Sequence, residues 1–168
     1  YGHASAAFVI VATANQFSTL GVGMYILSNP TAGRGVVFHG TVLHLLTGAG
    51  ALWIVYLLRG WFGSAFGVVG LAPYIPGLVL ATLFDRISFM PERILLRDLR
   101  FARVSSLRAI GEVTYTAVSV GMAMAGWGAM SLVYGGMARS FLRLLAFWTS
   151  VAWREWIEPS PLRLSTMK

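Results

Sequence analysis

The sequence has no cysteine, which excludes disulfides, Cys-ligated zinc and iron–sulfur clusters. It is also poor in charge. Charged residues make up 11% of its 168 positions, where a soluble domain carries about 25%. So little charge cannot keep the surface of a chain this size in water, and an ordinary soluble globular domain is excluded. Disorder is excluded by the same numbers, because disordered chains are polar and aromatic-poor and this one is 13% aromatic. Residues 1–33 contain no Asp, Glu, Lys or Arg. No basic region precedes the first apolar run, so it does not read as a signal peptide. Tyr1 is not an initiator Met, and the run reads as a span met partway through a longer protein. There is no Ser-His-Asp set, no phosphate-cradling Gly-Lys-Ser/Thr loop and no dinucleotide glycine pattern. No catalytic centre, metal or cofactor is therefore expected.

What is present is apolar sequence and arginine. Hydrophobic residues form 57% of the chain and mean hydropathy is +0.70, which reads as an all-α membrane protein. Five transmembrane helices are expected, at about 4–27, 35–58, 72–90, 107–125 and 129–151, each long enough to cross about 30 Å of hydrocarbon. They make one membrane bundle over 1–158, with 159–168 a cytoplasmic tail or linker after Pro159-Ser160-Pro161. Ser28-Asn29-Pro30 closes the first span and Gly126-Trp127-Gly128 joins the last two as a hairpin. Trp61, Phe62, Trp127, Trp153 and Trp156 fall near span ends, where indole rings favour the headgroup zone.

The net charge is +7, and twelve of the thirteen basic residues are arginine. In so apolar a chain the expected anions are lipid headgroups or a phosphate-bearing lipid, not nucleic acid. Arg34, Arg86, Arg93, Arg97, Arg100, Arg103, Arg108, Arg154, Arg163 and Lys168 all fall on one side of the spans. The positive-inside rule makes that side cytoplasmic, with the C-terminal end inside.

The segment Pro91 to Arg103, PERILLRDLRFAR, is the most informative. Read as a continuous helix, it puts Arg86, Arg93, Arg97 and Arg100 along one stripe. That stripe suits an interfacial helix on anionic lipid, or an electropositive wall that receives pyrophosphate. Arg139 and Arg143 share a face of the fifth span with no acid nearby, Arg139 suiting a cavity and Arg143 snorkelling to the membrane edge. Glu112 and Asp85 are ionisable residues within or beside hydrocarbon, candidates for ion coupling or for structural pairing, such as Glu112 with Arg108. His39 and His44 are five apart and do not share the face a metal pair needs. A polar contact to a neighbouring helix suits them better.

The run from Phe89 to Glu112, FMPERILLRDLRFARVSSLRAIGE, with AGWGAMSLVYGGMARSFLRLL after it, resembles the polysaccharide transporters of the MATE-like flippase superfamily. Arg97, Asp98, Leu99, Arg100, Phe101, Glu112, Gly126, Gly128, Leu132 and Val133 carry the likeness, and Thr19-Leu20-Gly21-Val22-Gly23 looks like the family's second helix. The resemblance implies a two-lobe bundle around a cavity open to each face in turn, of which this chain would be helices two to six of the first lobe. Half a cavity cannot alternate, so the resemblance also implies a fragment of the working protein or a pair of chains. The implied activity is a flippase of undecaprenyl-pyrophosphate-linked O-antigen or exopolysaccharide units in the bacterial inner membrane, not an enzyme. Arg86, Arg93, Arg97, Arg100 and Arg139 would hold the pyrophosphate, with Glu112 and Asp85 as coupling or structural acids. Partners would be the lipid-linked oligosaccharide, anionic lipids, and polysaccharide polymerase and export proteins. The rivals are a cation-coupled multidrug exporter of the same superfamily and a membrane enzyme of envelope polysaccharide synthesis.

Overall fold

A computed structural model describes residues 2–18, 21–29, 33–68 and 70–152. These form seven helices and no strand among the described residues: α1 Gly2–Phe17, α2 Val22–Ser28, α3 Arg34–Leu57, α4 Arg59–Ala65, α5 Ile75–Arg97, α6 Phe101–Met124 and α7 Met130–Trp148. Trp153, Arg154, Trp156, Arg163, Lys168 and the Pro159-Ser160-Pro161 stop lie outside the described residues, as do Thr19, Leu20, Pro30 and the side chain of Arg34.

The first apolar stretch forms two helices, not one. Gly21 has φ 69, a left-handed conformation that glycine adopts without a Cβ penalty, and α2 starts from it. Helix α4, with Trp61 exposed on it and Phe66 exposed just after it, follows α3 where the sequence suggested only the end of a span. Helix α5 begins with Pro76 in its first turn, where a missing N–H costs least. It then continues through Pro91 to Arg97. The proline is tolerated because its neighbours Met90, Ile94 and Leu95 are locked into a core with Val37, Val104, Phe147 and Val151.

The long helix suggested by PERILLRDLRFAR is broken at Leu99, and the four-arginine stripe is broken with it. The N–H of Arg100 donates to the Leu95 carbonyl at 2.9 Å and that of Leu99 to Leu96 at 3.1 Å, the Schellman closure of a helix end. Leu99 supplies the left-handed residue at φ 57. Glycine usually stands there, so the sequence held no signal for this stop. Arg100 consequently caps α6 and leaves the α5 face that carries Arg93. Gly126 makes the same closure after α6, with φ 86, and there the glycine had marked it.

Helix α5 is the spine, touching α1, α2 and α3 on one side and α6 and α7 on the other. A second core of Ala7, Val11, Leu52, Val55, Leu71, Ile75 and Val79 joins α1, α3 and α5 at its other end. Helices α6 and α7 pack closely because Gly135 has no side chain. A Cβ there would meet Ser119 Oγ and come within 3.0 Å of the Tyr115 carbonyl.

Among the described residues one helical stretch, Gly35–Leu57, is long and apolar enough to cross a membrane. Helix α1 has 16 residues, which is short for a span. Helix α5 carries Asp85, Arg86, Glu92, Arg93 and Arg97, and α6 and α7 dilute their apolar residues with Gly, Ser and Arg. Large apolar side chains nonetheless stand outward along several helices, among them Phe17, Leu46, Trp53, Val113 and Val120. Contiguous apolar surface of this kind marks a face that meets a partner or lipid.

Candidate functional site

Arg86 sits in the middle of the bundle, 3% exposed. Its Nε donates to Asn15 Oδ1 at 2.7 Å and its Nη2 to the Asn15 carbonyl at 2.8 Å, both on α1. Nη1 donates to the His44 carbonyl of α3 at 2.9 Å, and Ser18 Oγ is a further partner of Nη2. One guanidinium thus ties three helices using neutral acceptors alone. It reaches the α3 backbone by crossing Gly48, where an added Cβ would collide with the guanidinium itself. The run Gly48-Ala49-Gly50-Ala51 suits helix packing in general, but the need at Gly48 is specific. Gly48→Ala should cost roughly 1–3 kcal/mol by forcing Arg86 off its partners. Thermal unfolding would check this: the loss should shrink when Arg86 is already Met, and an equal loss in both backgrounds would refute the contact.

Beside Arg86 lies a cavity of about 430 Å³ between α1, α2, α3 and α5, lined also by Asn15, Gln16, His44, Phe89 and Arg93. Phe89 stacks on His44 with centroids 4.5 Å apart, and the Arg93 guanidinium lies 4.7 Å from the Phe89 centroid. Gly23 on α2 makes room, since a Cβ there would strike Phe89 and stand 3.3 Å from Arg93 Nε. Among the described residues no carboxylate pairs with Arg86 or Arg93. Asp85 also lines this cavity, but its carboxylate is engaged by Ser140 and Arg143 on the α7 side. Two guanidinium groups therefore face one cavity without an ion-pair partner, a costly state that an anionic ligand would relieve.

The remaining acids are engaged elsewhere. Glu92, 6% exposed, receives Arg108 of α6 and, at 3.0 Å, Arg143 Nη2 of α7. Arg143 also approaches Asp85 at 3.7 Å, and Ser140 Oγ donates to Asp85 Oδ2 at 3.0 Å. The snorkelling expected of Arg143 is therefore overturned. Its stem lies across Gly111, where a Cβ would come within 2.8 Å of its Cγ, and its charge turns inward to two acids of α5. Arg108 pairs with Glu92 and not with Glu112. Glu112 instead meets Arg139 at 3.4 Å on a more exposed face.

A second cavity, about 550 Å³, opens between α1, α5, α6 and α7, and Asn15, Asp85, Tyr115, Arg139 and Ser140 line it. Of the sequence candidates, Arg86 and Arg93 thus share the first cavity, Arg139 lines the second and Asp85 lines both. Arg97 and Arg100 line neither: Arg97 makes a 3.4 Å contact with Asp98, and Arg100 is exposed.

A family model described as polysaccharide biosynthesis protein matches residues 1–167. The chain belongs to the polysaccharide biosynthesis protein family. No curated protein and no solved structure matches it. Sequence reasoning missed Asn15 and Glu92 in this family member, and it missed what Gly23 and Gly48 each make room for. Glu92 had a signal, since it lies seven residues after Asp85 and so on the same helical face. Asn15 had none beyond being polar in a charge-free run.

Proposed function

We propose that this chain forms part of a MATE-like flippase that carries a polyprenyl-pyrophosphate-linked oligosaccharide from the cytoplasmic to the periplasmic leaflet of a bacterial inner membrane. The observation that carries the reading is the pair of guanidinium groups of Arg86 and Arg93 on one cavity, neither of them ion-paired among the described residues, in a member of a polysaccharide biosynthesis family. Arginine suits a pyrophosphate because its planar fork donates to phosphate oxygens in pairs. Arg86 retains an N–H beyond its four bonds, and Arg93 lends the more accessible charge. Arg97 and Arg100, near the chain reversal after α5, would hold anionic headgroups at the cytoplasmic lip. Arg139, Asp85 and Glu112 would serve the neighbouring cavity.

The outward apolar side chains favour a lipid setting. The proposed bundle keeps its charged residues inward or at its rim, which is how a more polar helix such as α5 can still cross a membrane. Flipping makes and breaks no covalent bond, so the reading asks for no catalytic group. A multidrug exporter would need carboxylates facing its cavity to meet a cation, whereas in the first cavity two guanidinium groups outnumber the one carboxylate, that of Asp85. The test is a leaflet assay. The full transporter reconstituted in vesicles should expose a fluorescent undecaprenyl-pyrophosphate glycan to an external quencher faster than empty vesicles do. Equal rates would overturn the reading.

A further inference from the structure

The second cavity has a different chemistry from the first. Asp85 and Arg139 bring opposite charges to its wall, and their outer partners, Arg143 and Glu112, are opposite as well. The cavity is balanced where its neighbour is positive. Both charged groups also retain bonding capacity. Among the described residues the one hydrogen bond to the Asp85 carboxylate comes from Ser140 Oγ, at 3.0 Å to Oδ2, while Oδ1 is buried with Arg143 at 3.7 Å, so Oδ2 keeps the lone pair available to a ligand. Arg139 makes one long contact to Glu112, at 3.4 Å, out of five N–H donors, and its guanidinium lies 5.3 Å from the centroid of the Tyr115 ring. Asn15 and Asp85 line both cavities, so the two spaces adjoin.

We propose that this second cavity is a subsite for a neutral glycosyl residue, the sugar joined directly to the pyrophosphate in the first cavity. The inference rests on the flippase reading for its lipid carrier. A sugar hydroxyl donates one hydrogen bond and accepts others. A carboxylate and a guanidinium on one wall therefore suit neighbouring hydroxyls, one accepting and the other donating. A phosphate would use only the donors and would be repelled by the Asp85 carboxylate, which Ser140 holds on the second cavity's side of their common wall. A sugar acid would meet the same repulsion. Apolar walls from Phe8, Leu78 and Val133 match the C–H face of a pyranose ring. The adjoining cavities fit the covalent order of such a lipid, in which the first sugar follows the second phosphate.

The experiment measures binding to the full protein in lipid nanodiscs with three probes: undecaprenyl pyrophosphate, the same lipid with one neutral hexose, and the same lipid with one hexuronic acid. The neutral hexose should tighten binding roughly tenfold over the bare lipid, and the hexuronic acid should not. Arg139→Gln should remove that advantage while leaving affinity for the bare lipid unchanged, whereas Asp85→Asn, at a residue that lines both cavities, should remove the advantage while raising affinity for the bare lipid. Ser140→Ala, a smaller change, should reduce it in protein whose melting temperature matches the parent. Equal binding of bare and hexose lipids, or an advantage that survives both charge variants, would overturn the subsite. Failure of all three probes to bind would overturn the flippase reading and the subsite together. If the bare lipid alone failed while the hexose lipid kept its Asp85 dependence, the anion cavity would fall and the sugar subsite would stand.

Discussion

Arg93→Gln in the complete transporter should lower polymer export by roughly tenfold or more, with the amount of protein in the membrane unchanged. The size follows from charge-assisted hydrogen bonds, worth about 1.5–3 kcal/mol each, where 1.4 kcal/mol is a factor of ten. The unchanged level follows from the geometry. Among the described residues Arg93 has no carboxylate partner and its Nε has no hydrogen-bond partner, while its guanidinium lies over the Phe89 ring. Removing it therefore leaves no acid unpaired and relieves repulsion with Arg86 across the same cavity. Arg93→Lys should restore part of the activity, because it keeps the charge and loses the fork. Export and immunoblot of the two variants decide the matter. Full export by Arg93→Gln would remove this residue from the anion site. Arg86 is a poorer first target, since its four hydrogen bonds join α1, α3 and α5 and its loss would confound folding with binding.

Glu92→Gln should be the most destabilising single substitution among the acids. Breaking a buried ion pair by removing one partner costs about 3–5 kcal/mol. Arg108 is half exposed, so solvent screens part of its loss, and the expected cost falls to roughly 2–3 kcal/mol. Arg143 is the deeper partner, and without Glu92 its nearest acid is Asp85 at 3.7 Å. Denaturant or thermal unfolding of Glu92→Gln, Arg143→Met and the double variant would measure the coupling. The double variant should be less destabilised than the sum of the singles by about 1 kcal/mol or more. Additive losses would mean that the contact contributes nothing to holding α5, α6 and α7 together.

Much of this was legible in the residues. The hairpin at Gly126 could be read because its left-handed turn uses the residue that turn prefers, and the start of α5 because Pro76 marks a first turn. The end of α5 could not, since Leu99 occupies a position where the pattern promises glycine. Hence four arginines that share a stripe on paper separate into two on α5 beside a cavity, one at the helix end and one beyond the turn. Gly48 was legible as a small residue but not as the floor under Arg86, because its partner lies on another helix.

Sequence by itself determined the helical class, the shortage of charge, the arginine surplus and the family, because each is a property of composition or of local order along the chain. Tertiary structure decided which arginines are neutralised. Glu92 took Arg108, 16 residues away, and Arg143, 51 residues away, and it left Arg93, its own neighbour in sequence, without an acid. Adjacent residues on a helix point about 100° apart, so packing between helices, and not proximity along the chain, sets where the uncompensated charge lies.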